Sequence, residues 1–322
     1  IDPEKTNYKI KAMIEEISQV KHTPSVPEGL KAIKNSTELA GIKNAHIRDG
    51  VAMVRWLYWL DQQSPLTAHT EITIAEKLAG LRSSGEHYQG LSFGTISGYQ
   101  ANGAIGHYAP QPDTTAALQP EGILVIDSGG QYLDGTTDIT RTISLGSPNA
   151  DEKRAFTAVL KAHIKLATTI FPQGTQGSQL DAIAKEPLWQ QGFECRQGIG
   201  HGIGYFLNVH EGPQRFSKGN KVPIDLGMVT TNEPGVYFEG KFGIRIENVI
   251  VTIPDSTTEF GDFYRFETVT YCPIDIELVE IPLLSIAEKD WLNVYHQTVY
   301  EKLAPLLATE EKEWLRYETR LI

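Results

Sequence analysis

The stretch Ile126-Asp127-Ser128-Gly129-Gly130, followed by Asp134-Gly135-Thr136-Thr137-Asp138-Ile139-Thr140-Arg141, decides the fold of this chain. Apolar residues surround Asp127 and Asp138, so the sequence predicts two carboxylates that are carried on paired strands into a buried place. An isolated ionised carboxylate is too costly to remove from water. The two acids must therefore share a proton, meet a fixed cation or bind a metal ion.

The strands that carry these acids are predicted to form a hairpin. Residues 122–126 and 136–145 are strand-like and enclose a turn near Leu133-Asp134-Gly135, which brings Asp127 and Asp138 close together. Asp134 lies at the turn itself, and we expect it to be replaceable where the other two acids are not.

A second acidic hairpin is predicted further along the chain. Residues 228–238 and 242–251 flank the turn Glu239-Gly240-Lys241. Glu233 and Glu247 lie at equal distances from the middle of that turn, so they are expected to face each other across the hairpin.

Helices are predicted before each hairpin. Asn35 and Glu38 are spaced as a capping box, and Thr73 and Glu76 repeat the signal. Further helices are predicted over residues 150–171, 178–189, from Ser285 onward, and 310–322. The order of two helices and an acidic hairpin occurs twice, which predicts an α+β fold of two related halves.

Composition excludes several classes of protein. The chain has 322 residues, is 40% hydrophobic and lacks a long apolar run, so a soluble globular protein without a membrane span is expected. A net charge of −11 argues against nucleic acid as a partner. The only cysteines, Cys195 and Cys272, have no CxxC spacing, so neither a disulfide framework nor a thiolate zinc site is indicated, and the cytoplasm is the expected location.

A glycine-rich segment between the hairpins supplies an imidazole. Gly198-Ile199-Gly200-His201-Gly202-Ile203-Gly204 lacks the Lys-Ser/Thr ending of a phosphate loop, while its missing side chains let other groups approach His201 closely. With the four hairpin carboxylates, His201 completes a ligand set rich in hard oxygen donors. Two divalent ions would neutralise the four negative charges, and we favour this interpretation over structural ion pairing.

These residues resemble the five-ligand signature of the pita-bread metallopeptidases. Longer segments resemble the cytosolic-type aminopeptidase P, or Xaa-Pro aminopeptidase, family, and the resemblance covers roughly residues 31–322. The segments that carry it are Asn102-Gly103-Ala104-Ile105-Gly106-His107-Tyr108-Ala109-Pro110, Asp127 to Arg141, Phe206-Leu207-Asn208-Val209-His210-Glu211-Gly212-Pro213, and Phe242-Gly243-Ile244-Arg245-Ile246-Glu247-Asn248.

The resemblance implies a pita-bread fold, in which two pseudo-symmetric helix and hairpin halves surround a curved antiparallel sheet, and a binuclear metal site. Asp127 is implied to chelate one metal ion, and Asp138 and Glu247 to bridge both. His201 and Glu233 are implied to complete the second metal. Manganese is the expected metal, with zinc or cobalt as alternatives.

The resemblance also implies catalytic roles around a bridging water or hydroxide that acts as the nucleophile. Glu233 is the expected proton carrier. His107 and His210 are expected to orient the peptide and to stabilise the tetrahedral intermediate. Tyr237 and Arg245 are weaker candidates for substrate binding, because Arg245 lies two residues from Glu247 on one strand face and could simply hold that carboxylate in place.

The activity implied is hydrolysis of the N-terminal Xaa-Pro bond of peptides. A prolidase that acts on Xaa-Pro dipeptides is one alternative, and a non-catalytic pita-bread module that binds peptides or proteins is another. The family pattern makes residues 1–34 the expected tail and linker of an upstream domain, and residues 35–322 the catalytic domain with a C-terminal helical extension. A homodimer is the expected assembly.

Overall fold

Side-chain caps set the starts of the main helices in the computed structural model, which describes residues 1–322. Asn35 accepts hydrogen bonds from the backbone N–H groups of Thr37 and Glu38, and its own N–H donates to the Glu38 carboxylate, as the predicted capping box requires. The helices are α1 (Tyr8–Glu15), α2 (Val26–Ala32), α3 (Ser36–Asp61), α4 (Glu71–Ser83), α5 (Ala150–Ala167), α6 (Gly177–Gln190), α7 (Ile286–Leu303) and α8 (Thr309–Glu318).

Fourteen short strands form two principal sheets and three small ones. The strands are β1 (Tyr88–Leu91), β2 (Ile96–Tyr99), β3 (Ile123–Ser128), β4 (Gly130–Tyr132), β5 (Gly135–Thr136), β6 (Ile139–Ser144), β7 (Phe171–Pro172), β8 (Gly200–His201), β9 (Arg215–Phe216), β10 (Val229–Asn232), β11 (Gly235–Phe238), β12 (Phe242–Arg245), β13 (Asn248–Thr258) and β14 (Gly261–Thr268). The principal sheets have the orders β2-β3-β6 and β10-β13-β14-β7. The small sheets are β1-β4-β5, β11-β12 and β8-β9.

The first acidic hairpin has the predicted pairing with one addition. Strands β3 and β6 are antiparallel, and Asp127 pairs with Thr140, which brings Asp138 beside Asp127. The segment between them forms a separate small sheet, in which β4 pairs with both β5 and β1. The hairpin therefore continues into a second sheet before it turns at Asp134.

The second acidic hairpin has the predicted register. Asn232 pairs with Asn248 and Gly235 with Arg245, so Glu233 and Glu247 face each other at the break between the two ladders. Gly240 lies at the turn with a φ of 71°, a left-handed conformation that glycine adopts without strain.

The two halves repeat one arrangement. In the first, α3 contacts α4, and α4 contacts β2; in the second, α5 contacts α6, and α5 contacts β12 and β14. The halves join where the backbone N–H of Glu247 donates to the carbonyl of Thr140 at 3.1 Å. This architecture confirms the predicted α+β fold of two related helix and hairpin halves.

Several predicted boundaries differ from the structure, among them the end of α8, which lies at Glu318 rather than at residue 322. Helix α4 begins at Glu71 because Thr70 caps it, so the capping box assigned to Thr73 and Glu76 is wrong. Helix α5 ends at Ala167, since Phe171–Pro172 leaves the helix to pair with β14. Part of the expected linker is helix α2, which Ser25 caps at the N–H of Glu28.

The C-terminal helices belong to the core of the domain. The apolar face of α7 packs into the largest buried cluster through Leu292, Tyr295, Val299 and Leu303, together with residues of α5 and α6. Removing these side chains from water supplies the main stabilisation of α7. None of the helices combines the length and apolarity that crossing a membrane requires.

One buried histidine of α7 gives stability a dependence on pH. His296 is fully buried, and its Nε2 accepts a hydrogen bond from the backbone N–H of Ile274 at 3.1 Å. Burial, and then the nearby Arg141 guanidinium, lower the pKa of His296 to about 3. The folded protein therefore keeps this ring neutral at pH values where the unfolded chain, with a histidine pKa of about 6.5, protonates it.

We predict that His296 destabilises the fold progressively as the pH falls below about 6.5, by up to about 1.4 kcal/mol per pH unit. His296→Gln keeps an acceptor at a similar reach and removes the titration. Urea denaturation should show the free energy of unfolding of the variant gaining about 2 kcal/mol relative to wild type between about pH 7.5 and about pH 5. His22→Gln, which changes an exposed ring, is the control. The prediction is contradicted if the difference in the free energy of unfolding between wild type and H296Q does not change with pH.

Candidate metal centre

Strand ends from both halves line a cleft of about 530 Å³. Asp127 lies at the end of β3 and Asp138 immediately before β6, while His201 ends β8. Glu233 follows β10 and Glu247 precedes β13. The cleft brings together all five predicted ligands with His107, His210 and Arg245. Tyr237 does not line the cleft, and its hydroxyl instead contacts Arg245 and Gln197.

Glycines let the His201 imidazole reach the carboxylates. A Cβ on Gly200 would lie 2.2 Å from the carbonyl oxygen of Thr231, so only glycine permits this approach of the two strands. The Nδ1 atom of His201 lies 3.0 Å from the carbonyl of Gly202 and must donate to it, since a carbonyl can only accept. In the neutral ring, Nε2 then carries a lone pair, 3.5 Å from Asp138 Oδ2 and 3.4 Å from Glu233 Oε1.

The carboxyl groups of the cleft repel one another in a buried place. Burial raises the pKa of Asp138 well above its usual range, and the charges of Asp127 and Glu233 raise it further. Burial likewise raises the pKa of Glu247 well above its usual range, followed by the charge of Asp138. Burial also raises the pKa of Glu233, although His201 and Arg245 oppose the change. Each group needs more positive charge nearby than the protein supplies.

The residues present fit divalent cations. Asp138, His201 and Glu247 each offer one ligand atom, and these atoms all lie within 4.8 Å of one another. The Oδ1 atoms of Asp127 and Asp138 are buried and accept no hydrogen bond from the protein. A lone pair on His201 that faces two carboxylates is repulsive unless a cation lies between them. Oxygen donors with one imidazole suit hard or intermediate divalent metals.

Arg245 is the one guanidinium in the cleft, and it binds Asp127 rather than the carboxylate of Glu247. Its Nη2 donates to Asp127 Oδ2 at 2.6 Å, and its Nη1 donates to the Tyr237 hydroxyl at 2.5 Å. Its Nε donates to Thr140 Oγ1 at 3.1 Å, and this hydroxyl donates to Glu247 Oε2 at 2.8 Å. The hypothesis that Arg245 holds Glu247 is thus corrected, because Thr140 stands between them.

Two buried threonines, which the sequence motifs do not single out, orient candidate ligand carboxylates. Thr140 bonds Glu247 as described, and Thr231 Oγ1 donates to Glu233 Oε1 at 3.1 Å. Thr231 also accepts the backbone N–H of His201 at 3.0 Å. Each threonine is two residues from an acid, Asp138 or Glu233, and the period of two that places strand residues on one face could have identified both.

A buried histidine lies behind Glu233 and Glu247 and hydrogen-bonds to a sequence neighbour of each. His163 of α5 donates through Nδ1 to the carbonyl of Asn232, and its Nε2 accepts from the Asn248 side chain, each at 3.1 Å. Burial, followed by the charge of Arg141, lowers the pKa of His163 to about 3, so the ring stays neutral in this role. The ring thus contacts the residues that adjoin Glu233 and Glu247.

His107 and His210 also line the cleft. The His210 ring lies against the His201 ring, with centroids 4.1 Å apart and planes at 78°. Burial, followed by the proximity of His201, Arg215 and His107, lowers the pKa of His210 to about 4. His210 is therefore neutral near pH 7, where its single N–H can donate to a bound group.

A curled antiparallel fold with strand-end acids around one imidazole defines a protein built to hold divalent cations. The chain belongs to metallopeptidase family M24. Residues 40–253 match that family, and residues 262–322 match the C-terminal region of peptidase_M24. The pita-bread fold that the sequence predicts is confirmed.

Proteins similar to this chain carry aminopeptidase names. It is 43% identical to aminopeptidase P1 of Arabidopsis thaliana over 99% of this chain and 54% of that protein. It is 49% identical to a probable Xaa-Pro aminopeptidase P of Laccaria bicolor over 90% of this chain and 46% of that protein. The chain thus spans about half the length of these relatives.

A solved structure resembles the whole chain. The X-prolyl aminopeptidase of Caenorhabditis elegans, a cytosolic enzyme with a di-nuclear active site, superposes with a TM-score of 0.92 at 37% identity. The match covers 100% of this chain and 53% of that one.

We predict that Mn²⁺ raises the melting temperature of the wild-type protein and that Asp138→Asn removes most of this rise. A ligand that binds only the folded state stabilises it by RT ln(1 + [L]/Kd), so the melting temperature should keep rising with Mn²⁺ concentration. Loss of an outer partner costs about 10- to 100-fold in metal affinity, so the loss of a direct ligand oxygen should cost more. Thermal scans across a Mn²⁺ titration measure the effect.

Asp134→Asn is the matched control, since Asp134 lies on the same hairpin and pairs with Arg48 at the turn, away from the cleft. We expect the control variant to keep the full Mn²⁺-dependent rise. Equal responses of the two variants contradict the assignment of Asp138 to the metal centre.

Proposed function

We propose that this chain is the catalytic part of a metal-dependent aminopeptidase that removes the N-terminal residue from peptides with proline in second position. The observation that carries the proposal is the meeting of four acids and three histidines in one cleft. The names of relatives at 43% and 49% identity support the substrate class. Because the chain spans about half of those relatives, the activity of the whole protein is part of the proposal.

Two divalent cations are proposed to occupy the cleft. Asp127 would hold one, Asp138 and Glu247 would be shared, and His201 with Glu233 would hold the other. When bound, such a pair lowers the pKa of water to supply a nucleophile and polarises a carbonyl oxygen. Manganese is the proposed metal because oxygen ligands predominate, and elemental analysis of protein purified without chelator distinguishes it from zinc or cobalt.

Glu233 is proposed to carry the proton. Thr231 occupies its Oε1, and its Oε2 accepts no hydrogen bond within the protein. Oε2 is thus free to take a proton from the attacking water and return it to the departing proline nitrogen. Burial raises the pKa of Glu233, which favours the protonated form that a proton carrier must be able to adopt.

His107 and His210 are proposed to bind the peptide around the scissile bond. The neutral His210 ring has one N–H, which can donate to the oxygen on which negative charge develops. Arg245 orients Asp127 directly, and Tyr237 contacts that guanidinium, so we propose that both position the ligand set beside the substrate.

Proline at the second position requires a dedicated enzyme. Its nitrogen forms a tertiary amide without an N–H, so a peptidase that recognises a backbone donor at that position loses the contact. The ring also fixes φ and bends the substrate chain. Apolar Phe93, Ile96 and Val209 line the same cleft as the acids and offer a surface for such a ring.

Three properties of the whole protein are also proposed. Residues 1–34 would be the tail and linker of an upstream domain, because α1 buries none of its side chains, and residues 35–322 would form the catalytic domain with its C-terminal extension. A homodimer is the proposed assembly, and sedimentation at several concentrations tests it. A cytoplasmic location agrees with two buried free cysteines.

We predict that the Mn²⁺-loaded protein releases the first residue from an Xaa-Pro-Xaa tripeptide and that Glu233→Gln lowers kcat by about 10²- to 10⁴-fold. Gln keeps the shape and one oxygen of the side chain but cannot take the proton. Amino-acid release is followed by mass spectrometry, and bound metal is measured in parallel to separate lost chemistry from lost metal.

Substrate length and composition distinguish the alternatives. Cleavage confined to Xaa-Pro dipeptides identifies a prolidase. Stable peptide binding without turnover across Mn²⁺, Zn²⁺ and Co²⁺ identifies a non-catalytic module. An Xaa-Ala-Xaa peptide is the control for proline selectivity, and equal cleavage of this peptide removes the proline assignment.

A further inference from the structure

A fully buried acid outside the cleft has no role in the chemistry described above. Glu71 is the first residue of α4 and has no solvent exposure. It forms no salt bridge, in contrast to the buried acid Asp49, which pairs with Arg82 at 2.8 Å. A charge buried without a cation must be stabilised by hydrogen bonds, and the start of a helix adds a favourable dipole.

Four donors surround the Glu71 carboxylate. Oε1 accepts the backbone N–H of Tyr99 at 2.7 Å, and Oε2 accepts the backbone N–H of Ala116 at 2.8 Å. The Asn102 side chain donates to both oxygens, at 3.0 and 3.2 Å. The Tyr108 hydroxyl donates to Oε2 at 2.9 Å. Charge-assisted bonds of this kind are stronger than neutral ones.

All four donors belong to one irregular segment, residues 99–116. Apart from Tyr99, which ends β2, its only regular structure is a short 3₁₀-helix over Gln100–Ala104. The segment carries His107, which lines the cleft beside the metal ligands, and Tyr108 follows it directly. Glu71 thus joins the beginning, middle and end of the segment at one point and fixes the position from which His107 enters the cleft.

We propose that Glu71 is a positioning residue that sets the location of His107 for catalysis. The inference rests on the proposed function, because it concerns the histidine expected to bind the peptide. Glu71 does not touch the cleft and contacts none of the metal-ligating side chains. Replacing Glu71 should therefore disturb how His107 holds the substrate and leave the metal content unchanged.

The chemistry of the site explains why a carboxylate is needed. Each oxygen of Glu71 faces a backbone N–H, from Tyr99 on one side and Ala116 on the other. A glutamine amide would direct its own NH₂ at one of these donors in either orientation. Aspartate is one methylene shorter and cannot reach both ends of the segment. Neither conservative replacement restores the anchor.

A double-mutant cycle tests the proposal on the Mn²⁺-loaded chain. kcat and KM for an Xaa-Pro-Xaa tripeptide are measured for wild type, Glu71→Gln, His107→Ala and the double variant. We expect E71Q to lower kcat/KM by on the order of 10- to 100-fold through misplacement of the histidine. In the H107A background, E71Q should lower kcat/KM by less than about threefold, because the histidine through which Glu71 acts is already absent.

Asp49→Asn is the matched control. Asp49 is buried and also contacts α4, through Arg82, but its partners lie outside residues 99–116. D49N is expected to lower the melting temperature and to combine with H107A multiplicatively. If E71Q also combines multiplicatively with H107A, its role is structural and the proposal is overturned.

Hydrogen exchange separates failure of this proposal from failure of the proposed function. E71Q should accelerate amide exchange in peptides covering residues 99–116 and leave other regions and Mn²⁺ affinity unchanged. Unchanged exchange in that segment overturns the anchor whether or not the wild type is active. If the wild type is inactive but exchange is faster in E71Q, the proposed aminopeptidase function is wrong. The catalytic role of Glu71 then falls with it, while its structural contacts stand.

Tyr108→Phe provides a milder variant if E71Q does not fold. It removes one of the four donors and leaves the backbone anchors in place. Its loss of kcat/KM should have the same dependence on His107 and a smaller size. A Y108F loss that persists undiminished in the H107A background contradicts the proposal.

Discussion

The constraint on which this structure depends is the burial of four carboxylates around a single guanidinium. Arg245 neutralises Asp127 directly, which leaves Asp138, Glu233 and Glu247 with raised pKa values caused by burial and mutual repulsion. A fold stabilised by hydrophobic burial alone would exclude such a cluster. The cluster nevertheless lies at the junction of the two halves, where repulsion among its carboxylates lowers the stability of the fold. Bound cations would remove that repulsion.

Hydrogen-bonding side chains behind the acids hold the carboxylates in position. Thr140 and Thr231 each donate to one ligand glutamate, and His163 joins the residues that adjoin both. Arg141, fully buried and without a carboxylate partner, donates to the carbonyls of Thr140 and Glu247. Hydrogen bonds to backbone carbonyls let a second positive charge stand near the acids without competing for the oxygens that a metal requires.

The sequence predicts the parts of the structure that local rules determine. The Asn35 capping box and the register about Gly240 both depend on residues close together in the chain, and both are confirmed. The start of α4 was misplaced because Thr70 and Thr73 form an equivalent pair three residues earlier. The sequence motif groups five candidate ligands, and the structure places them in one cleft. The contacts of Arg245 and Thr140 could not be predicted, since strands from different halves supply the partners.

Several candidate site residues lie in irregular segments, and the paired strands on either side set their positions. Glu233 and Glu247 lie at a break between two paired strands, where neither is required to continue a ladder and each is free to turn toward the cleft. A slip of one residue in that hairpin would move both to the opposite face, so the left-handed turn at Gly240 controls the centre from a distance. Beyond Tyr99, the segment with His107 has no strand pairing, and the buried Glu71 carboxylate with its four donors holds it in place instead.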